Sequence, residues 1–149
     1  MKAWRISQWV DLTGTGGVRS ASRWNPKGVP AVYLSEHPAL ALLEVMAHMH
    51  LSFDDIPLSL KLIAIEIKPG AAVSPMPELP QGGWQANEMT TRATGGAWLT
   101  GIAGLVLPVP STIVAHATNF LINPRHPQAR THLEQASVEP FWIDHRLFQ

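Results

Sequence analysis

"SRWNPKGVPAVYLSEHPALALLEVMAHM", residues 22–49, holds a turn, a strand and a helix in succession, and its reading decides the fold class. The "NPKG" turn should be tight, because Pro fixes φ and Gly permits φ > 0. "PAVYLS" follows as a short strand carrying Tyr33. A helix is then predicted over 36–50, with Ser35 or His37 at its N-cap and Pro38 in the first turn. Within "PALALLEVMAHM", 38–49, ten of twelve residues are non-polar, and the exceptions are Glu44 and His48. A buried carboxylate without a partner costs free energy or takes up a proton. Glu44 therefore needs either a partner or a task.

Further short strands are read at "KAWRIS" (2–7), "KLIAIEI" (61–67), "AGLVLPVP" (103–110), "TNFLIN" (118–123) and "EPFWIDHRLF" (139–148). In the second of these Ile63, Ile65 and Ile67 share one face, and the prolines of the third favour a sheet edge. A weaker helix is read over about 85–101, interrupted at "TGG". There is no repeat, low-complexity tract or linker. The expected architecture is a single α+β domain over 1–149, with mostly antiparallel strands and a few short helices.

Composition agrees with a compact chain. Of its 149 residues 46% are hydrophobic and 15% charged, so a disordered chain is excluded. Eleven basic residues balance eleven acidic ones, which gives no electrostatic case for nucleic acid or an anionic membrane. The absence of cysteine excludes thiolate metal sites and disulfides, and makes the cytoplasm the expected compartment. "MKAWRISQWV" has no apolar signal region, and no apolar run reaches the roughly 18 residues that span a bilayer.

A strand and a helix that pack together can bring Arg23, Tyr33 and Glu44 to one end of a cleft. The three supply a charged fork for phosphate or carboxylate, an aromatic face and a carboxylate. A nucleotide with a diphosphate and a cationic ring suits them. A structural reading stands beside this one: Arg23 pairs with Glu44, His48 meets Glu44 at i,i+4, and Tyr33 is core.

The stretch from Ser22 to Met49, together with "LPVPSTIVAHATNFLINPRHP" (107–127), resembles the RES-domain family. These are toxins of bacterial toxin–antitoxin pairs whose partner is a Xre-like antitoxin. The resemblance implies a fold similar to ADP-ribosyltransferase toxins and consumption of NAD+ as substrate, by hydrolysis, phosphorolysis or modification of a protein. The matching positions imply Glu44 and Arg23 as catalytic residues. Tyr33, Ser111, Arg5 and Asn119 are implied as substrate-binding residues. No metal is implied. In "TGGAWLTG", Gly96 stands where relatives often carry an Asp, so this chain lacks whatever that acid supplies. An inactive binding domain is the alternative that this departure favours.

Other features carry less. The glycines at 14–17 do not open a clear helix, so a dinucleotide fingerprint is weak and an ordinary turn is the better reading. His48 and His50, at i,i+2, point to different sides of a helix and make a poor metal site. Asn123 and His126 are read as caps in a proline-bounded loop. Trp9, Trp84 and Trp142 are either core or part of a partner surface. Self-association is compatible with the sequence but not readable from it.

Overall fold

The computed structural model describes residues 1–49 and 53–148. Six strands form one antiparallel sheet: β1 (Lys2–Ser7), β2 (Val32–Ser35), β3 (Lys61–Ile67), β4 (Val106–Pro110), β5 (Thr118–Ile122) and β6 (Leu133–Pro140). Their order is β4-β5-β2-β1-β3-β6. Among the described residues three α-helices accompany them: α1 (Thr15–Arg19), α2 (Pro38–Met49) and α3 (Glu88–Gly101). The α+β, mostly antiparallel expectation holds.

Alternation of side chains along each strand divides the core between two faces. On one face Val32, Leu34, Phe120 and Ile122 pack with Ala3, Ile63, Ile65 and Ile67. The other face carries two separate apolar groups. Trp24, Leu99, Leu107, Val109 and Leu121 lie on the α3 side, with Tyr33 against them. Ile6, Ala41, Leu60 and Ile143 lie on the α2 side, with Trp4, Val45 and Met46. Ser35 and Asn119 are cross-strand neighbours on this second face. Trp4 opposes Ser35 from β1. A polar seam thus runs between two apolar groups.

The prolines of β4 sit on the edge strand, where a missing N–H costs no ladder bond. Helix α2 begins at Pro38, and His37 is its cap: the Ala39 N–H donates to His37 Nδ1 at 3.1 Å. Of the two capping candidates, Ser35 is used elsewhere. The expected last helical position, His50, lies outside the described residues.

Three expectations need correction. The final strand is Leu133–Pro140, earlier than "EPFWIDHRLF"; Phe141 and Ile143 turn under the α2 group and His145–Phe148 is a 3-10 turn. Helix α3 runs through "TGG" unbroken, with Asn87 capping it by accepting from the Thr90 N–H. The glycines let this helix lie directly on the chain at 24–26. A Cβ on Gly95 would overlap the Trp24 carbonyl, and one on Gly96 would come 2.9 Å from Pro26 Cδ. The glycines at 14–17 do enter a helix, but one of only five residues. There Gly14 adopts φ +75° and a Cβ on Gly17 would meet the Val29 carbonyl at 2.5 Å, so these residues serve close packing.

Candidate functional site

Glu44 lies on the flank of α2. Ala41, Val45 and Met49 sit on the apolar stripe of that helix, and Glu44 follows buried Leu40 by one turn at its edge. Half-buried, it faces the polar seam. Asn119 Nδ2 donates to its Oε1 at 2.7 Å, and Ser111 Oγ donates to the same oxygen at 2.9 Å. Hydrogen bonds to an ionised acceptor are the strong ones, roughly 1.5–3 kcal/mol each. The acid that looks stranded in the helix is held by two neutral donors.

Those donors are themselves fixed. Ser111 follows β4 and opens the loop that returns to β5. Its Oγ accepts the Ile113 and Val114 N–H groups at 3.1 and 3.2 Å, and its own N–H closes the loop on the Ala117 carbonyl. Ser111 is therefore both a turn hydroxyl and a Glu44 donor; the two readings are compatible. Asn119 Oδ1 accepts from Ser35 Oγ at 2.7 Å. Sequence reading did not place Ser35 in the site. Its position two residues from Tyr33 on one strand was the available signal.

The structural ion-pair reading of Glu44 fails among the described residues: neither Arg23 nor His48 bridges it. Arg23 Nη1 donates to the Gln85 carbonyl at 2.8 Å, and Nη2 lies 3.6 Å from Glu88. Tyr33 packs on the α3 side. Its hydroxyl donates to Asn25 Oδ1 at 2.6 Å and accepts the Trp24 N–H at 3.1 Å. Burial pushes its phenol up to about 12, so it stays neutral. The Trp24 amide thus ties Tyr33 to the residue next to Arg23.

Arg5 does not join this group. The β1–β3 register pairs Arg5 with Ile63 and Trp4 with Ala64, so Arg5 leaves the sheet on the face opposite Trp4, Ser35 and Asn119. Its Nη1 donates to the Asp11 carbonyl at 3.0 Å. Burial lowers its pKa, and the Asp11 carboxylate opposes that shift. Asn123 and His126 cap backbone groups: Asn123 Oδ1 accepts the Arg125 N–H and His126 Nδ1 accepts the Gln128 N–H. Trp84 packs near Trp24, centroids 6.4 Å apart, while Trp9 and Trp142 are exposed. His50, weighed with His48 for a metal, lies outside the described residues. Two surface depressions, lined by Pro124–Pro127 with Arg130 and by Leu58–Lys61 with Val138–Pro140, do not include Glu44.

Fold and site together define an α+β domain with one helix-borne carboxylate set in a polar seam. The RES domain model matches residues 2–144. "Toxin Res" of Pseudomonas putida is 43% identical over 99% of this chain and 100% of that protein. The "Prs ADP-ribosylating toxin" of Sphingobium sp. is 37% identical over 98% of this chain and 96% of that protein. In structure the chain is similar to a chain of the crystallised M. tuberculosis MbcT–MbcA toxin–antitoxin complex. The TM-score is 0.73 and the identity 19%, over 99% of this chain and 86% of that one. The chain belongs to the RES-domain family of toxins. Among the described residues no helix is long and apolar enough to cross a membrane.

Proposed function

We propose that this chain is a toxin that cleaves the nicotinamide–ribose bond of NAD+, and that a Xre-like antitoxin restrains it. The observation that carries the reading is Glu44, a carboxylate fixed through one oxygen by Asn119 and Ser111. In the reaction the C–N bond to the cationic nicotinamide breaks and its electron pair leaves with the ring nitrogen. The leaving group becomes neutral and needs no acid. Positive charge builds on the ribose, as in glycoside cleavage. A preoriented carboxylate stabilises that charge more than it stabilises the ground state, which is what lowers the barrier. An oxygen of water or phosphate then bonds to the sugar carbon and its proton passes to solvent.

Arg23 has five N–H donors, of which the Gln85 carbonyl and Glu88 engage two, so donors remain for a diphosphate. Tyr33 offers a ring face whose orientation its hydroxyl bonds fix. Ser111 and Asn119 act on the carboxylate, and through it on the sugar that the carboxylate would face.

A second reading has its own support in the name of the Sphingobium relative: transfer of ADP-ribose to a protein acceptor. One incubation separates the readings. Purified chain is mixed with labelled NAD+, with and without phosphate, and nicotinamide release is followed beside label on protein. Free ADP-ribose indicates hydrolysis, a phosphorylated sugar phosphorolysis, and labelled protein transfer. No nicotinamide release by folded chain overturns both readings.

A further inference from the structure

Ser35 is 4% exposed, and its hydroxyl lies 2.7 Å from Asn119 Oδ1. The other end of that amide, Nδ2, is 2.7 Å from Glu44 Oε1. We infer that Ser35 is a positioning residue for Glu44, acting through the Asn119 amide; this rests on the reading of Glu44 as the catalytic carboxylate.

The direction of the chain of bonds follows from what each group can do. An ionised carboxylate only accepts, so Asn119 must turn its NH2 end to Glu44. Its oxygen end then faces β2, and that oxygen needs a donor. Ser35 supplies it from the cross-strand position of the same sheet face. The strand pairing Ser35↔Asn119 fixes both backbones, so the hydroxyl reaches the amide without moving either strand. Without the hydroxyl the amide is held only by the group that it must hold, and its torsion is free to relax. Glu44 would then keep Ser111 as its one fixed donor. Sheet, amide and helix are thereby linked: β2 orients β5, and β5 orients α2.

The role has a kinetic signature that a loss of folding does not share. Ser35→Ala is expected to lower kcat about tenfold, the equivalent of one hydrogen bond, with KM changed by less than about twofold. In an Asn119→Ala background the same substitution should have no further effect on kcat, because the link is already cut. Ser35→Thr, which keeps the hydroxyl, should recover most of the rate. An independent readout is the side-chain amide resonance pair of Asn119, assigned by its disappearance in Asn119→Ala. It should move in Ser35→Ala and stay near its native position in Ser35→Thr.

The outcomes separate the two claims. Wild-type turnover with the expected kcat loss, absent in the Asn119→Ala background, supports the inference. Wild-type turnover with an unchanged Ser35→Ala rate, or an equal loss in both backgrounds, overturns it. Absent wild-type turnover removes the functional reading and with it the positioning role, whereas an unmoved Asn119 amide in Ser35→Ala overturns the link itself.

Discussion

Asn119 Nδ2 and Glu44 Oε1 stand 2.7 Å apart although 75 residues separate them in the chain. The contact exists because β5 pairs with β2 and the chain leaves β2 directly into α2. Ser111, the first residue of the β4–β5 connection, reaches the same oxygen. Removal of either donor should therefore lower NAD+ turnover on the order of 10- to 100-fold, the worth of one charge-assisted bond. Ser111→Ala should do something that Asn119→Ala does not. It strips the acceptor from the Ile113 and Val114 N–H groups, so hydrogen exchange at those two amides should accelerate.

Arg23 and Arg5 should behave differently. Arg23 lies beside Trp24, whose N–H meets the Tyr33 hydroxyl on the Glu44 face, whereas the β1 register sends Arg5 to the opposite face. Arg23→Ala is expected to raise the KM for NAD+ on the order of tenfold through loss of a diphosphate contact. Arg5→Ala should leave KM nearly unchanged and act on stability instead, through the lost bond to the Asp11 carbonyl. Steady-state kinetics on both variants, with thermal melts, checks the contrast.

Gly96→Asp introduces the acid that the family resemblance leads one to expect at this position, yet here it should not raise activity. Its Cβ would crowd Pro26 at 2.9 Å, so the variant should lose about 1–3 kcal/mol of stability by denaturant titration. Gly101→Ala is the control. Nothing lies within 4 Å of the added Cβ, and helix propensity then favours alanine by up to about 1 kcal/mol.

Tyr33 is the single tyrosine of the chain, so tyrosinate absorbance reports it alone. Burial raises its pKa from 10 to about 12 in the folded protein. Between those values the unfolded chain has lost the proton and the folded one keeps it, so unfolding releases a proton and stability falls as pH rises. The stabilising contribution is fully present below pH 10 and is lost on approach to 12. Titration should give a midpoint near 12 in native protein and near 10 in denaturant. Tyr33→Phe should flatten the alkaline loss of stability.

Legibility in the sequence followed the physics of each segment. The strand at 61–67 is legible with its full bounds, because Ile63, Ile65 and Ile67 recur at the period the backbone imposes; the one at 2–7 has the same bounds in sequence and structure but no such alternation. Strand β6 is not legible in the sequence because "LEQASVE" is exposed along nearly its whole length and is held by its ladder to β3, which leaves no apolar alternation to read. The continuity of α3 is not legible because a glycine's helix penalty is visible locally, while the approach of Trp24 and Pro26 that requires Gly95 and Gly96 is not. The site divides in the same way. Glu44 was marked by its apolar surroundings, and Ser111 and Asn119 by the motif that holds them. The place of Ser35 and the sheet face that Arg5 occupies both depend on strand register, which no local pattern encodes.

The central claim is that Glu44 carries the chemistry. Glu44→Gln keeps an acceptor oxygen for Asn119 and Ser111 but removes the charge, so the fold should survive and only the reaction should suffer. The decisive measurement is nicotinamide release from NAD+ by wild type and Glu44→Gln at matched concentration, each checked for native melting. The account predicts turnover by wild type and a loss on the order of 10²–10³ or more in the variant. Equal turnover by a natively folded Glu44→Gln protein would contradict it.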